Sequence, residues 1–209
     1  MIERWEVVTI GNISRNRYWG ESDERGLRPA ICTMTLVVGD GFRLLVDPSL
    51  QESDWMAAEL DRRTGTKLSD VSAVFVTHEH GDHHYGMRHL PDADWLAAPE
   101  VASAINKSGN YPKPVSPVSG RLFDQVEVIH TPGHTMGHHS LHLECAGMRV
   151  VAAGDAVMTR DFWVHRQGYF NSTDFELAAR TIDSLAGMAD IVIPGHDNYF
   201  LVSAAPFAA

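Results

Sequence analysis

Three observations make this chain a layered α/β protein. Short apolar runs bounded by turn residues recur along it, helix-spaced segments separate the later runs, and a tight turn joins two early ones. Its 209 residues, 44% hydrophobic and 21% charged, suit one domain over 1–209 with an ordinary buried core.

The predicted strands, in order, are "WEVVTI" (5–10), "CTMTLVV" (32–38), "FRLLVD" (42–47), "SAVFVT" (72–77), "QVEVIH" (125–130), "MRVVAAG" (148–154) and "DIVIPG" (190–195). Between the second and third lies Gly-Asp-Gly, the composition of a hairpin turn, so antiparallel pairing is expected early. Helices are expected over 53–65, 98–109 and 172–188. The last would start from Ser172 or Thr173 with Glu176 closing a capping box, and would stop at Gly187. Its Leu177, Ala178, Ile182 and Leu185 share a face, which should lie on a sheet. Residues 12–29 and 158–171 keep neither period and read as irregular loops of the functional kind. A short Ala-rich tail is the only biased tract.

A net charge of −10 disfavours a nucleic-acid backbone as partner, which would call for clustered Lys and Arg. Cys32 and Cys145 are too few for a disulfide framework or a thiolate metal site, so a reducing, cytoplasmic setting is expected. The start "MIERWEVVTIG" shows neither a signal-peptide pattern nor a membrane-spanning run.

The chemistry concentrates in "THEHGDHH" (77–84), directly after the apolar "VSAVFV". An isolated histidine is ordinarily satisfied by backbone hydrogen bonds, but a cluster just past a buried strand reads as ligation. In an extended or turning segment, His78 and His80 can face one ion, while Asp82 and His83 serve a neighbouring one. Three further strand ends carry ligand types after a glycine: His134 in "TPGH", Asp155 in "AGD" and His196 in "PGH". Imidazole and carboxylate donors without thiolate suit zinc, iron or manganese.

H-x-H-x-D-H with "TPGH", "AGD" and "PGH" resembles the metallo-β-lactamase-fold hydrolase superfamily, in order from about residue 31 to 200. The resemblance implies a four-layer αβ/βα sandwich with a dinuclear site at the edge of its two sheets. It assigns the first metal to His78, His80 and His134 and the second to Asp82, His83 and His196, with Asp155 between them. Two divalent ions, zinc foremost, would activate a shared water as hydroxide to attack a small acyl substrate, be it an ester, thioester, lactone or amide. Asp82 would also relay a proton to the leaving group, and Asp47 would orient the metal loop by hydrogen bonding. His138 is expected to brace the His134 turn.

The chain departs from the family pattern in places. Tyr85 stands where the family commonly has the first of two glycines, and Asp155 differs from the bridging residue position of antibiotic-degrading lactamases. With thirteen residues after His196, the helical extension of glyoxalase II is not expected. The likeness is greater to short, stand-alone members, including the domain-containing type 1 group. Substrate contacts are expected from Trp19, Tyr85, Phe162, Trp163, His165 and Tyr169, an aromatic set that would wall a mainly apolar pocket. Two other functions stay open: a mononuclear-iron dioxygenase of the same fold, and a phosphodiesterase or nuclease. The expected partner is a small molecule, without nucleic acid or membrane; a homodimer is expected only from base rates.

Overall fold

In the computed structural model, which describes residues 1–202, two six-stranded sheets face each other and carry helices on their outer faces. The Ala-rich tail lies outside the described residues. The first sheet holds β1 (Ile2–Thr9), β2 (Met34–Gly39), β3 (Phe42–Val46), β4 (Ala73–Val76), β5 (Asp94–Ala97) and β6 (Ser116–Pro117), adjacent in that order. The second holds β7 (Gly120–Leu122), β8 (Val126–His130), β9 (His139–Cys145), β10 (Met148–Gly154), β11 (Ile191–Pro194) and β12 (Phe200–Leu201). The helices are α1 (Ser53–Thr64), α2 (Pro99–Ser108), α3 (Arg160–Val164) and α4 (Phe175–Met188).

Alternation explains the layering. Along β2, Leu36 and Val38 point to α1 and α2 and join Met56, Leu60, Val101 and Ile105, while Val37 points to the opposite sheet. The inter-sheet layer is built of Leu44, Val46 and Phe75 against Val128, Leu141, Val150 and Ile193. Val151, Ala153 and Val192 on the far face of the second sheet take Ile182 and Leu185 of α4. This is the α/β four-layer sandwich that the resemblance implied.

β2 and β3 pair antiparallel from Gly39 opposite Phe42, so Asp40 and Gly41 form the expected turn. β3, β4, β5 and β6 run parallel, as β10 and β11 do. The parallel strands end at one edge of the sandwich, and their following loops bring the histidines there.

Two local expectations are corrected. α4 begins at Phe175 with Asp174 as its cap, Oδ1 accepting Leu177 N–H at 2.8 Å. Thr173 is not free to cap, because its N–H and hydroxyl both donate to the carbonyl of His134, at 3.0 and 3.1 Å. Glu176 makes no capping box and pairs loosely with Arg180 at 3.8 Å. The helix also runs through Gly187, whose carbonyl accepts from Arg149, and ends at Met188. Second, residues 158–171 are not wholly irregular: α3 occupies five of them, too short a helix to reveal a period of 3.6.

Candidate metal centre

The loop after β4 is fixed from behind by Asp47, which lies at φ 49° just past β3 and is almost wholly buried. Its Oδ1 accepts Thr77 N–H at 2.8 Å; its Oδ2 accepts the Thr77 hydroxyl at 2.8 Å and His83 Nδ1–H at 2.9 Å. Thr77 Oγ1 in turn lies 3.2 Å from His78 Nδ1. With their Nδ1 hydrogens directed outward, His78 and His83 turn the lone pairs of Nε2 inward.

Two donor sets converge there. His78 Nε2, His80 Nδ1 and His134 Nε2 form one, with His80 Nδ1 at 2.9 Å from His78 Nε2 and 3.0 Å from His134 Nε2. His83, His196 and Asp82 form the other, His196 Nε2 lying 3.6 Å from Asp82 Oδ2. Asp155, at the end of β10, faces both. Its Oδ1 is 3.1 Å from His83 Nε2 and 3.3 Å from His196 Nε2, and its Oδ2 is 3.2 Å from His134 Nε2 and 3.7 Å from His78 Nε2.

These atoms fit cations. Asp155 Oδ1 and His83 Nε2 are buried without an aligned hydrogen-bond partner, so with the single proton of a neutral His83 on Nδ1 an acceptor faces a lone pair across 3.1 Å. Such a pair is repulsive unless a positive charge lies between or beside the two. Imidazole nitrogens and carboxylate oxygens are the donor set of catalytic zinc sites and serve iron and manganese as well.

The frame around the ligands is equally specific. His196 Nδ1–H is shared by the carbonyls of Asn12 and Ile31, at 3.0 and 2.9 Å, and His196 N–H donates to Met158 O at 2.9 Å. Both irregular loops therefore spring from His196. His138 stacks on His78 with ring centres 5.0 Å apart and accepts Ala156 N–H at 3.3 Å. Its Nδ1 meets Thr131 Oγ1, which meets Ser140 Oγ, which donates to Ala153 O, so His138 braces the turn that carries Asp155.

Electrostatics divide the rings. Burial drives His78 well below the ordinary histidine value and His134 down to about 4. Burial also opposes protonation of His83 and His196, yet Cys32, Asp155 and Asp47 together outweigh it at His83, and Asp155 outweighs it at His196, so that both are held above that value. Asp155, despite its own burial, is kept well below the carboxylate range by His83, His196 and His134.

All seven ligand candidates are thus brought together. The aromatic set is dispersed. Tyr85 is part-exposed with its ring against Gly81, beside the turn that presents Asp82. Trp19 is 58% exposed; its Nε1–H donates to Asp161 Oδ2 at 3.0 Å and Arg28 lies over its ring. His165 is exposed and stacks on Tyr18 at 4.0 Å. The expectation that Phe162, Trp163 and Tyr169 wall a mainly apolar pocket is corrected: all three rings are buried. Phe162 and Tyr169 are buried with Ile13 and Met158, and Trp163 packs under α4 with Phe200. Burying three large rings is what holds the two loops to the sandwich and to each other, with Asp161 accepting from Asn16 and Trp19 across the seam.

Cys32 was not legible as a member of this centre. Wholly buried, its Sγ lies 3.2 Å from His83 Nδ1, and burial pushes its thiol up in pKa. A count of cysteines speaks to disulfides and thiolate clusters; contact between residues 51 positions apart leaves no local signal.

A family model described as the metallo-beta-lactamase superfamily matches residues 27–196. The chain is 34% identical over 119 residues to an atrochrysone carboxyl ACP thioesterase of Aspergillus fumigatus, covering 54% of this chain and 27% of that one. It is 26% identical over 159 residues to "Probable hydroxyacylglutathione hydrolase glo2" of Schizosaccharomyces pombe, covering 73% and 58%. The chain therefore spans less than two thirds of the length of these relatives. Among solved structures it resembles AidC, described as a dizinc quorum-quenching lactonase in complex with a product, with TM-score 0.69, 15% identity and coverage of 85% and 77%. Among the described residues, no helix is long and apolar enough to cross a membrane.

Proposed function

This chain belongs to the metallo-β-lactamase superfamily, and from that we propose that it is a metal-dependent hydrolase of a small acyl substrate, an ester, thioester, lactone or amide. The observation that carries the reading is the division of Asp155: one oxygen toward His83 and His196, the other toward His78 and His134. We assign one divalent ion to His78, His80 and His134 and a second to Asp82, His83 and His196, with Asp155 shared and zinc the leading candidate. When bound, such ions supply a lowered pKa for a shared water and polarisation of the substrate carbonyl.

The protein's own groups divide the remaining work. The Nδ1 hydrogens of His83 and His196 are committed outward, to Asp47 and to two backbone carbonyls, so neither ring is free to donate to a leaving group. Asp82 can. Its side chain is 28% exposed against 4% for Asp155, which sets it at the open side of the centre beside the part-exposed His80. There it holds a proton taken from water and passes it to the departing alcohol, thiol or amine. The relatives named a thioesterase and a hydroxyacylglutathione hydrolase, and the structural neighbour named a lactonase, support the acyl class.

The test is metal content of protein purified without added metal, for wild type and His196→Ala, beside a panel of esters, thioesters, lactones and amides. About two ions per chain, falling toward one in the variant, with turnover in the panel, is the expected result. A single iron untouched by His196→Ala would refute the two-ion hydrolase and favour oxygen-dependent chemistry.

A further inference from the structure

We propose that Cys32 is a positioning residue for the second metal ion, acting through His83. The proposal rests on the two-ion reading above and concerns what separates the two ions' sites. His83 Nδ1–H has one close oxygen acceptor, Asp47 Oδ2 at 2.9 Å, which also accepts the Thr77 hydroxyl; Thr77 Oγ1 itself stands farther off, at 3.5 Å. One close contact with a long one beside it leaves the imidazole able to pivot. Cys32 Sγ closes the other side of the same nitrogen at 3.2 Å. The thiol hydrogen has its own acceptor, the carbonyl of Thr33 at 3.4 Å, so a sulfur lone pair remains for Nδ1–H.

Its neighbours point the same way. Ile31 O accepts the Nδ1–H of His196, the other histidine of the second set. Thr33 N–H donates to Gly195 O at 2.6 Å, and its hydroxyl donates to Asp197 O at 2.8 Å, gripping His196 from both sides in sequence. Ser49 Oγ–H holds the Cys32 carbonyl at 2.9 Å, so the segment is itself anchored. These contacts run to His83 and to the flanks of His196, whereas His78 is held by Thr77 and the His134 carbonyl by Thr173. Residues 31–33 thus frame one ion and leave the other to separate groups.

The experiment is a stepwise zinc titration of chelated full-length protein against a competing chromophoric chelator, for wild type, Cys32→Ala, Cys32→Ser and Cys32→Val, with melting of each chelated variant. Cys32→Ala should weaken the second step by about tenfold, the lower end for groups that orient a metal ligand, and leave the first step unchanged. Cys32→Ser, whose hydroxyl accepts the same N–H, should restore most of the loss. Cys32→Val fills the space without accepting and should behave as Ala does. Equal weakening of both steps, no weakening, or Ser indistinguishable from Val overturns the proposal. Should Cys32→Ala not fold, the Ser and Val pair decides the matter alone. A wild type that takes up one ion refutes the two-ion reading and this inference with it; two tight ions in every variant refutes the inference alone.

Discussion

Asp47→Asn tests how the proton of His83 is set. The asparagine can keep Oδ1 as acceptor for Thr77 N–H, but its amide nitrogen replaces the oxygen that takes the Thr77 hydroxyl and His83 Nδ1–H. Donor then meets donor twice in a buried site, at about 1–3 kcal/mol for each group left unsatisfied. His83 can relieve one conflict by moving its proton to Nε2 and accepting from the amide. The remaining loss, about 1–3 kcal/mol, should lower the melting temperature of chelated protein by roughly 2–12 °C for a chain of this length. The relief is ruinous for ligation, since Nε2–H then points at Asp155 where a lone pair is needed. Second-ion affinity should fall by about 100-fold or more, beyond the usual 10–100-fold for such groups, with the first ion little affected. Calorimetry with chelator and a zinc titration check the two parts. If Asp47→Asn binds both ions as the wild type does, Asp47 does not set the tautomer of His83 and the account of the loop is wrong.

Further outcomes are expected. Gly133 lies at φ 132°, and a Cβ there would come within 2.4 Å of Ala178 N in α4, so Gly133→Ala should destabilise by about 2–6 kcal/mol in urea unfolding; an unchanged midpoint would contradict it. Asp190, held by Arg149, has its pKa lowered from 3.8 to about 2. A depressed folded pKa contributes stability above the unfolded value that is lost as pH falls through the folded one, so between about pH 4 and pH 2 Asp190→Asn should flatten the acid loss seen by denaturant titration. Zinc at about 100 times its dissociation constant should stabilise the chelated protein by about 2.7 kcal/mol per site, and a melting temperature indifferent to zinc would count against any metal centre here.

The strands that carry the site could be read in the sequence because each is a buried apolar run closed by a glycine or a ligand residue. "SAVFVT" and "MRVVAAG" became β4 and β10 nearly to the residue. What failed was whatever depends on a distant partner. Thr173 looks like a helix cap until His134, 39 positions away, claims its donors. Phe162 and Trp163 look like pocket residues because a five-residue helix shows no face, and the Ile13 that buries one of them arrives from the opposite loop. β5 was missed because four residues, "DWLA", carry too little pattern.

His196 has a consequence for how the molecule comes into being. The carbonyls that aim its ring belong to residues 12 and 31, and its partner His83 is made about 110 residues earlier. At a bacterial or eukaryotic ribosome this interval lasts roughly 6–20 s. A nascent chain therefore displays "HEHGDHH" as an open claw, able to seize whatever ion is abundant, well before the last finger can close. On the two-ion reading, synthesis completes the His78, His80 and His134 set before His196 exists, so the metal supply when residue 196 emerges bears on what the second set receives.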